Sequence, residues 1–485
     1  MSIDISQFRL ELLAPELALV LMGFAVLLIG VFLKTSGLRS LVGLLALFGI
    51  ACSMFYTTQL AGISAEGFNG AIHIDGFSVF FKMIILAGAL LATLLSMDYL
   101  RREDVQAPEY YALLLFATSG MTLLSSASDL ISILISIEIM SLSIYVLVGI
   151  RRNAPFASEA ALKYFILGSF SSAILIYGIA LIFGATESIN LSRIAAAFNT
   201  GAIHEPRLFV LGMAMILVGI AFKIASVPFH MWAPDVYQGA PAPITGFMAV
   251  GVKAAAFAAA LRIFVIGFGE NSALWQPIMW WLAVITILGG NLMALMQENI
   301  KRLLAYSSIA HAGYLLIGLA VGGDQAHAGM LFYLTSYVFM NIGVFGVIVA
   351  LSGGEDELEN LSDWSGIAYR NPLMAAAMAL CLLSLAGIPP MAGFFAKFYL
   401  FYSAVSAGDI PIVIVGVMGS CISLYYYLKV IVHMYMKEPE AEIVPARANF
   451  AVQLGVLISA VVVLYLGILP GSVLDWAKTS VSSLF

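Results

Sequence analysis

The sequence has 485 residues, 62% of them hydrophobic and 10% charged, with a formal charge of −6. That balance excludes a soluble chain around one core and indicates a polytopic membrane protein. It offers no basic face for nucleic acid. Cys52, Cys381 and Cys421 stand far apart in apolar runs, and there is no Cys-x-x-Cys, GxGxxG or GxxxxGK[ST] motif. The chain therefore shows no means of holding zinc, an iron–sulfur cluster, flavin, NAD or ATP.

A bilayer is crossed by about 20 apolar residues. On that measure the chain is expected to be all-α with about fourteen spans. Their centres fall near residues 24, 49, 87, 117, 140, 171, 220, 255, 285, 312, 338, 388, 422 and 464. The first three form an N-terminal region, residues 1–105. Its opening, MSIDISQFRLELLAPELA, has no basic cluster before the apolar run, so the first helix is expected to stay. Lys82, near an outer end, reads as a snorkelling side chain. Basic residues occupy alternate loops: Lys34 and Arg39, Arg101 and Arg102, Arg151 and Arg152, Lys301 and Arg302, Arg370, and Lys437 with Arg447. The opposite loops hold chiefly Arg193 and Arg207. The positive-inside rule makes the first set cytoplasmic and puts both termini outside.

Residues 106–270 contain spans four to eight. Glu138 lies near the centre of DLISILISIEIMSLSIYVLVGI, where a carboxylate is costly unless paired or wetted. Lys163, four residues after Glu159 at a span start, reads as an interfacial salt bridge. Lys223, in LVGIAFKIASVPFHMW, sits five residues before Pro228. An ionisable group beside a helix breaker at membrane depth points to ion or proton movement. Its expected partner is Glu138, with an attraction at contact on the order of 4 kcal/mol at an effective dielectric of about 20. Making or breaking such a pair would act as a proton switch, and the two groups would titrate together. The proline also frees upstream carbonyls that can hold water. His230 either links Lys223 to Lys253 or merely packs. Lys253 lies about ten residues into span eight, among small side chains that leave room for water or close helix approach. Arg262, nearer the outer end, reads as snorkelling.

Residues 271–438 contain spans nine to thirteen. His311 shares a helix face with Ser307, Ser308 and Tyr314 and occupies the counterpart of the Glu138 span, so it is either a relay or a packing residue. Tyr333, Tyr337 and Asn341 recur every four residues, as packing glue or as a water path. The loop with Glu355, Asp356, Glu357, Glu359 and Asp363 is a solvated surface or a docking segment. Span twelve holds Pro389 and Pro390, with Lys397 seven residues on, about two helical turns, at the expected exit end of a path. Lys429 and His433 read as interfacial. A last helix fills 439–485. The interrupted spans, seven and twelve, are five apart, and a five-helix unit repeated once must enter upside down. Two inverted five-helix repeats, each with a discontinuous helix near 228 or 389, are the expected architecture; simple proline kinks are the plainer alternative.

The segments KIASVPFHMWAPDVYQGAPAP, NIKRLLAYSSIAHAGYLL and LAGIPPMAGFFAKFY resemble the antiporter-like membrane subunits of respiratory complex I. The resemblance is strongest from about residue 130 to 430; single segments are shared with Mrp-type antiporter subunits and membrane-bound hydrogenases. Lys397 sets the chain apart from the member that carries a glutamate there, and its length from the member with a long lateral C-terminal helix. The resemblance implies that Glu138 is the fifth-span glutamate, Lys223 the seventh-span lysine, Lys253 the connecting lysine and Lys397 the terminal one. It implies proton pumping in the cell inner membrane, driven by quinone reduction elsewhere in a multi-subunit respiratory complex. No cofactor is then expected on this chain, with FMN and iron–sulfur clusters on partner subunits. Two rivals stand: an Mrp-type cation/proton antiporter subunit, and a scaffold whose charges only stabilise the fold.

Overall fold

The computed structural model describes residues 9–32, 38–103, 105, 107–151, 154–201, 203–352, 358–438 and 448–484. The chain begins with α1 (Ala14–Phe32) and α2 (Leu38–Gln59). A small hairpin of β1 (Ala65–Gly67) and β2 (Ile72–Ile74) follows, with Ala65 opposite Ile74. Then come α3 (Gly76–Arg102), α4 (Ala107–Ser126), α5 (Leu130–Val148), α6 (Pro155–Thr186), α7 (Leu191–Asn199), α8 (Pro206–Lys223) and α9 (Ala233–Gly239). α10 (Ala242–Phe247) and α11 (Lys253–Leu261) are parts of one continuous rod, Ala242–Gly267, with π turns at Met248–Val252 and Arg262–Gly267. The rest is α12 (Ser272–Leu295), α13 (Ile300–Val321), α14 (Asp324–Leu351), the single turn α15 (Ile367–Arg370), α16 (Pro372–Ala386), α17 (Ala392–Ser406), α18 (Ile410–Met436), α19 (Phe450–Ile468) and α20 (Gly471–Ser482).

Among the described residues, twelve helical stretches are long and apolar enough to cross a membrane. Thirteen of the fourteen expected centres fall inside helices, and the one near 388 falls in the gap between α16 and α17. Capping side chains fix where three of the spans and the short α7 start. Asp75, Asp129, Asn190 and Asn299 accept from the backbone N–H groups of Ser78, Ser132, Arg193 and Arg302, satisfying donors that a helix start leaves free. α13 and α14 are 94% buried over their central stretch and Ala242–Gly267 89%, against 33% for α1 and α18. The first three are therefore the hub, and the rim helices present Leu21, Phe24, Phe170 and Val417 outward, as lipid or a neighbouring subunit requires.

Close approach of α12 to the hub helix α13 depends on small residues. A Cβ on Gly290 of α12 would lie 2.6 Å from the Ala310 nitrogen, and one on Gly313 of α13 would lie 2.7 Å from the Ile287 nitrogen. Backbone meets backbone there, and this sets the position of the α13 face that carries Ser307, Ser308 and His311.

Two basic residues expected to snorkel are instead buried and paired. Lys82 Nζ lies 2.9 Å from Oε1 of Glu16, which stands in the first turn of α1. Arg262 is fully buried, with its NH2 group 2.9 Å from both oxygens of Asp75 and its Nε donating to the Ser125 carbonyl at 2.8 Å. The capping role of Asp75 holds a carboxylate at the end of α3, within reach of the rod. Lys163 pairs with Glu159 as expected, and equally with Asp235, both at 2.8 Å. His433 bonds the Lys429 carbonyl through Nδ1 and Lys437 Nζ through Nε2. Of the acidic loop, Glu355, Asp356 and Glu357 lie outside the described residues, as do Lys34, Arg152 and Arg447. Glu359 accepts from Asn299 Nδ2 at 3.3 Å and Asp363 from the Asn360 N–H at 2.8 Å, so this part of the loop is folded onto the start of α13.

Candidate functional site

Both expected interruptions exist. α8 ends at Lys223 and α9 starts at Ala233; α16 ends at Ala386 and α17 starts at Ala392. In the first gap Ala225 takes a left-handed φ of 58°, Trp232 Nε1 donates to the freed Phe222 carbonyl at 3.1 Å, and the Val227 N–H donates to Thr286 Oγ1 of α12 at 3.0 Å. In the second, Gly387 takes a φ of 93°. Lys397 Nζ reaches back across the break to donate to the Ala386 carbonyl at 2.9 Å. Each break thus ends at a lysine or is spanned by one, and the carbonyl ends of helices favour a cation there.

Lys223 is 4% exposed, and its Nζ donates to Ser141 Oγ of α5 at 2.8 Å. Ser141 in turn donates to the Ile137 carbonyl at 2.6 Å. The ring centroids of Phe222 and Tyr145 lie 5.8 and 5.9 Å from Nζ. The expected contact between Lys223 and Glu138 is not formed, and among the described residues no ion pair joins them. Glu138 is half-buried on the α5 face towards α6, where Ser172 donates to its Oε1 at 2.5 Å. Ser141, three residues on and almost one turn further, occupies the lysine instead. Glu138 and Lys223 are therefore neighbours through one helix turn rather than partners.

Lys253 follows the first π turn of its rod, an arrangement frequent at functional sites. Its Nζ, 4% exposed by residue, donates to Ser308 Oγ at 2.6 Å and to the Ser308 carbonyl. Ser308 Oγ also bonds Tyr237 OH at 3.2 Å. His311, one turn further along α13, is 1% exposed and hydrogen-bonded at both ring nitrogens: Nδ1 to Tyr333 OH at 2.6 Å and Nε2 to Tyr427 OH at 3.1 Å. Tyr427 OH also meets Ser307 Oγ. Tyr337 bridges the two groups, its ring centroid 5.1 Å from Lys253 Nζ and 5.1 Å from the His311 ring. On the other side, Tyr314 lies 5.8 Å from the His311 ring and 4.9 Å beneath Lys397 Nζ. Tyr314 OH accepts from Asn291 Nδ2 at 3.3 Å, and Tyr426 OH donates to Asn291 Oδ1 at 3.1 Å.

Lys253, His311 and Lys397 thus form one buried cluster held by tyrosines, and Glu138 with Lys223 forms a second. His230 does not join them. It sits half-buried in the first break and makes no hydrogen bond to Lys223 or Lys253. Phe222, Trp232 and Tyr164 pack on this side, with the Trp232 and Tyr164 rings stacked at 4.4 Å. Ser141, Ser172, Tyr237, Thr286 and Tyr427 were not singled out in the sequence. Ser141 carries a local signal, three residues after the glutamate at membrane depth; Tyr427 lies 116 residues from His311 and has none.

Residues 127–423 match the family model described as NADH:quinone oxidoreductase/Mrp antiporter, TM. NADH-quinone oxidoreductase subunit N of Trichlorobacter lovleyi is 43% identical over 485 residues, covering 99% of both chains. The chain belongs to the subunit N family of NADH-quinone oxidoreductase. Other members include a subunit N of Myxococcus xanthus, 40% identical over 98% of this chain and 97% of that protein. Among solved structures, a chain of respiratory complex I from Thermus thermophilus with bound aureothin superimposes with a TM-score of 0.81 at 36% identity, covering 95% and 98% of the two chains. A chain of the Mrp complex from Dietzia gives 0.84 at 24% identity over 97% of each, a likeness of fold.

Proposed function

We propose that this chain is a proton-translocating membrane subunit of an NADH-quinone oxidoreductase, working inside a multi-subunit respiratory complex. The observation that carries this reading is the pair of buried clusters. Three lysines and a histidine are each no more than 5% exposed; Lys223, Lys253 and His311 lie on helices apolar and long enough to span a membrane, and Lys397 lies on α17 just past the second break. Such groups are expensive in that setting and default to ion or proton pathways. Relatives over the full length named NADH-quinone oxidoreductase subunit N support the driving reaction in this reading, quinone reduction elsewhere in the complex. NADH, FMN and iron–sulfur centres belong, in this reading, to partner subunits, and no redox step is assigned to this chain.

Protons enter near the first break, pass Lys223 and Lys253, cross the His311 region to Lys397 and leave near the second break. Glu138, one turn from the Ser141 hydroxyl that holds Lys223, sets the charge state of that lysine through space. His311 suits a relay: a tyrosine hydroxyl faces each ring nitrogen, so a proton can arrive on one and leave from the other without movement of the ring. His230 serves at the entry. The cytoplasmic side is that of the Lys301 and Arg302 loop, the termini lie outside, and the membrane is the cell inner membrane.

The working units are residues 106–270 and 271–438, related by inversion and flanked by 1–105 and 439–485. Matching backbone contacts support this division. Leu130 N bonds Ile189 O at 2.9 Å and Leu191 N bonds Ser128 O at 3.0 Å; Ile300 N bonds Glu359 O and Leu361 N bonds Glu298 O, both at 2.8 Å. All four positions in the second set lie 170 residues after those in the first. The capping residues Asp129 and Asn190, and Asn299 and Asn360, form the two corresponding bridges.

The test uses the assembled complex in sealed vesicles. Lys223→Met or Glu138→Gln should lower proton transfer per NADH oxidised several-fold while the complex assembles normally. Unchanged pumping in an assembled complex overturns the reading. Loss of assembly with pumping intact in the remaining complex favours a scaffold, and sodium-dependent transport without NADH favours an antiporter.

A further inference from the structure

At the end of the bundle that carries α7 and the hairpin, a cleft of about 670 Å³ opens between α7, the Gly269–Asn271 turn, α12 and the α13–α14 turn. Its rim is polar, with Asn199, Glu270 and Gln276, and Gly322 and Gly323 form one wall. At its floor is His327, in the first turn of α14 and 3% exposed. Among the described residues neither ring nitrogen of His327 has a hydrogen-bond partner. No proton path described above uses this residue.

A buried imidazole left unsatisfied at both nitrogens is costly, about 1–3 kcal/mol for each bond left unmade. Native structures avoid this by supplying a protein partner or ordered water. The cleft is large enough and polar enough for water to be that partner. The charged side chain in its lining is Glu270 on the rim, held by Asn199 Nδ2 at 3.4 Å, and a second carboxylate, Asp324, stands three residues before His327 at the start of α14. An acidic mouth over a wet imidazole attracts cations, the hydrated proton included. Six residues further along α14, about 9 Å deeper by helix rise, stands Tyr333. Its hydroxyl holds His311 Nδ1 at 2.6 Å.

We propose that this cleft is a water-filled vestibule on the outer face, and that His327 at its floor is a proton-binding residue between the His311–Tyr333 pair and the outer solution, on an outlet that branches from the His311 region beside the one through Lys397. The proposal rests on the proton-translocating reading and on the orientation given with it. His327 takes a proton from the interior side at one ring nitrogen and gives one to vestibule water at the other, so no co-reactant is required. The dry helix layer between His327 and Tyr333, which includes Met330, separates the vestibule from the cluster except when that layer opens.

Two arms test it in the whole complex. In a background with Cys52, Cys381 and Cys421 replaced by Ala, Gln276→Cys should react with a membrane-impermeant thiol reagent added to the outer side of oriented vesicles. No reaction from that side, or reaction only from the cytoplasmic side, overturns the vestibule. His327→Ala should lower proton release per NADH several-fold, and imidazole in the outer medium should restore at least half of the loss. Normal pumping by His327→Ala, or a loss that imidazole does not rescue, overturns its role as a carrier. If His327→Ala fails to assemble, the labelling arm decides. Lys223→Met separates the layers of the argument: if it abolishes pumping while His327→Ala does nothing, only the exit proposal falls.

Discussion

Lys223 Nζ donates to Ser141 Oγ at 2.8 Å, and the Ser141 proton is already committed to the Ile137 carbonyl. The hydroxyl therefore acts on the lysine purely as an acceptor, the polarity that steadies an ammonium group. Ser141→Ala would leave a buried charged donor unsatisfied, at a cost above the roughly 1–3 kcal/mol of a neutral group. In the assembled complex it should slow quinone-coupled proton transfer by about tenfold, since 1.4 kcal/mol corresponds to a factor of ten. Ser141→Thr, which keeps the hydroxyl, should behave nearly as the wild type. Pumping measured by a pH-sensitive dye in vesicles distinguishes them; equal rates for the two variants would remove Ser141 from the path.

Tyr427 makes two of the contacts that define the cluster of Lys253, His311 and Lys397, to His311 Nε2 and to Ser307 Oγ. Tyr427→Phe deletes one hydroxyl and keeps the ring, which packs 4.5 Å from Tyr426. Stability should change by only about 1 kcal/mol, while proton transfer falls several-fold because one side of the imidazole loses its proton donor or acceptor. Comparing thermal midpoint with pumping rate separates the two effects. A large midpoint drop with proportionate loss of pumping would mean that the tyrosine is only packing.

Much of this architecture was legible in composition and punctuation. Apolar runs near the membrane thickness located the spans, and proline beside lysine located both breaks, because each feature acts locally on the backbone. The clusters were legible only in part. Lys253, His311 and Lys397 could be named from their cost at depth, yet their grouping depends on helices far apart in sequence, with Tyr427 and Tyr337 approaching α13 from α18 and α14. The Glu138–Lys223 contact was misread because opposite charges attract in any sketch, whereas the helix turn decides which side chain arrives, and Ser141 arrives first. Arg262 and Lys82 were misread for a related reason: snorkelling is the default for an isolated cation near a span end, and their acidic partners lie on other helices.

The Arg262–Asp75 pair yields a stability prediction. Both residues are fully buried, so removing one partner strands the other, typically at a cost of about 3–5 kcal/mol. Arg262→Met should therefore reduce the yield of folded chain and lower its thermal midpoint sharply. Asp75→Leu should be at least as severe, since Asp75 also caps α3 by accepting from the Ser78 N–H at 2.6 Å, worth about 1 kcal/mol. The double variant should cost less than the sum of the singles, as expected when two groups serve each other. Strict additivity would show that the pair does not interact energetically.

The second break offers a test of backbone geometry rather than charge. Gly387 has a φ of 93°, and a Cβ there would lie 3.2 Å from Lys397 Cδ. Gly387→Ala combines a left-handed strain of about 1–3 kcal/mol with pressure on the lysine stem that reaches the Ala386 carbonyl. The expected result is a lower thermal midpoint together with slower pumping. Gly184→Ala is the control: that glycine is exposed in α6 with open space around it, and alanine there should stabilise the helix by up to about 1 kcal/mol. Because the two substitutions add the same methyl group, a deficit confined to position 387 would tie proton transfer to the turn that delivers Lys397 across the break. Equal pumping by both variants would leave Lys397 indifferent to that turn, and its carbonyl contact would then be a resting place rather than a required geometry.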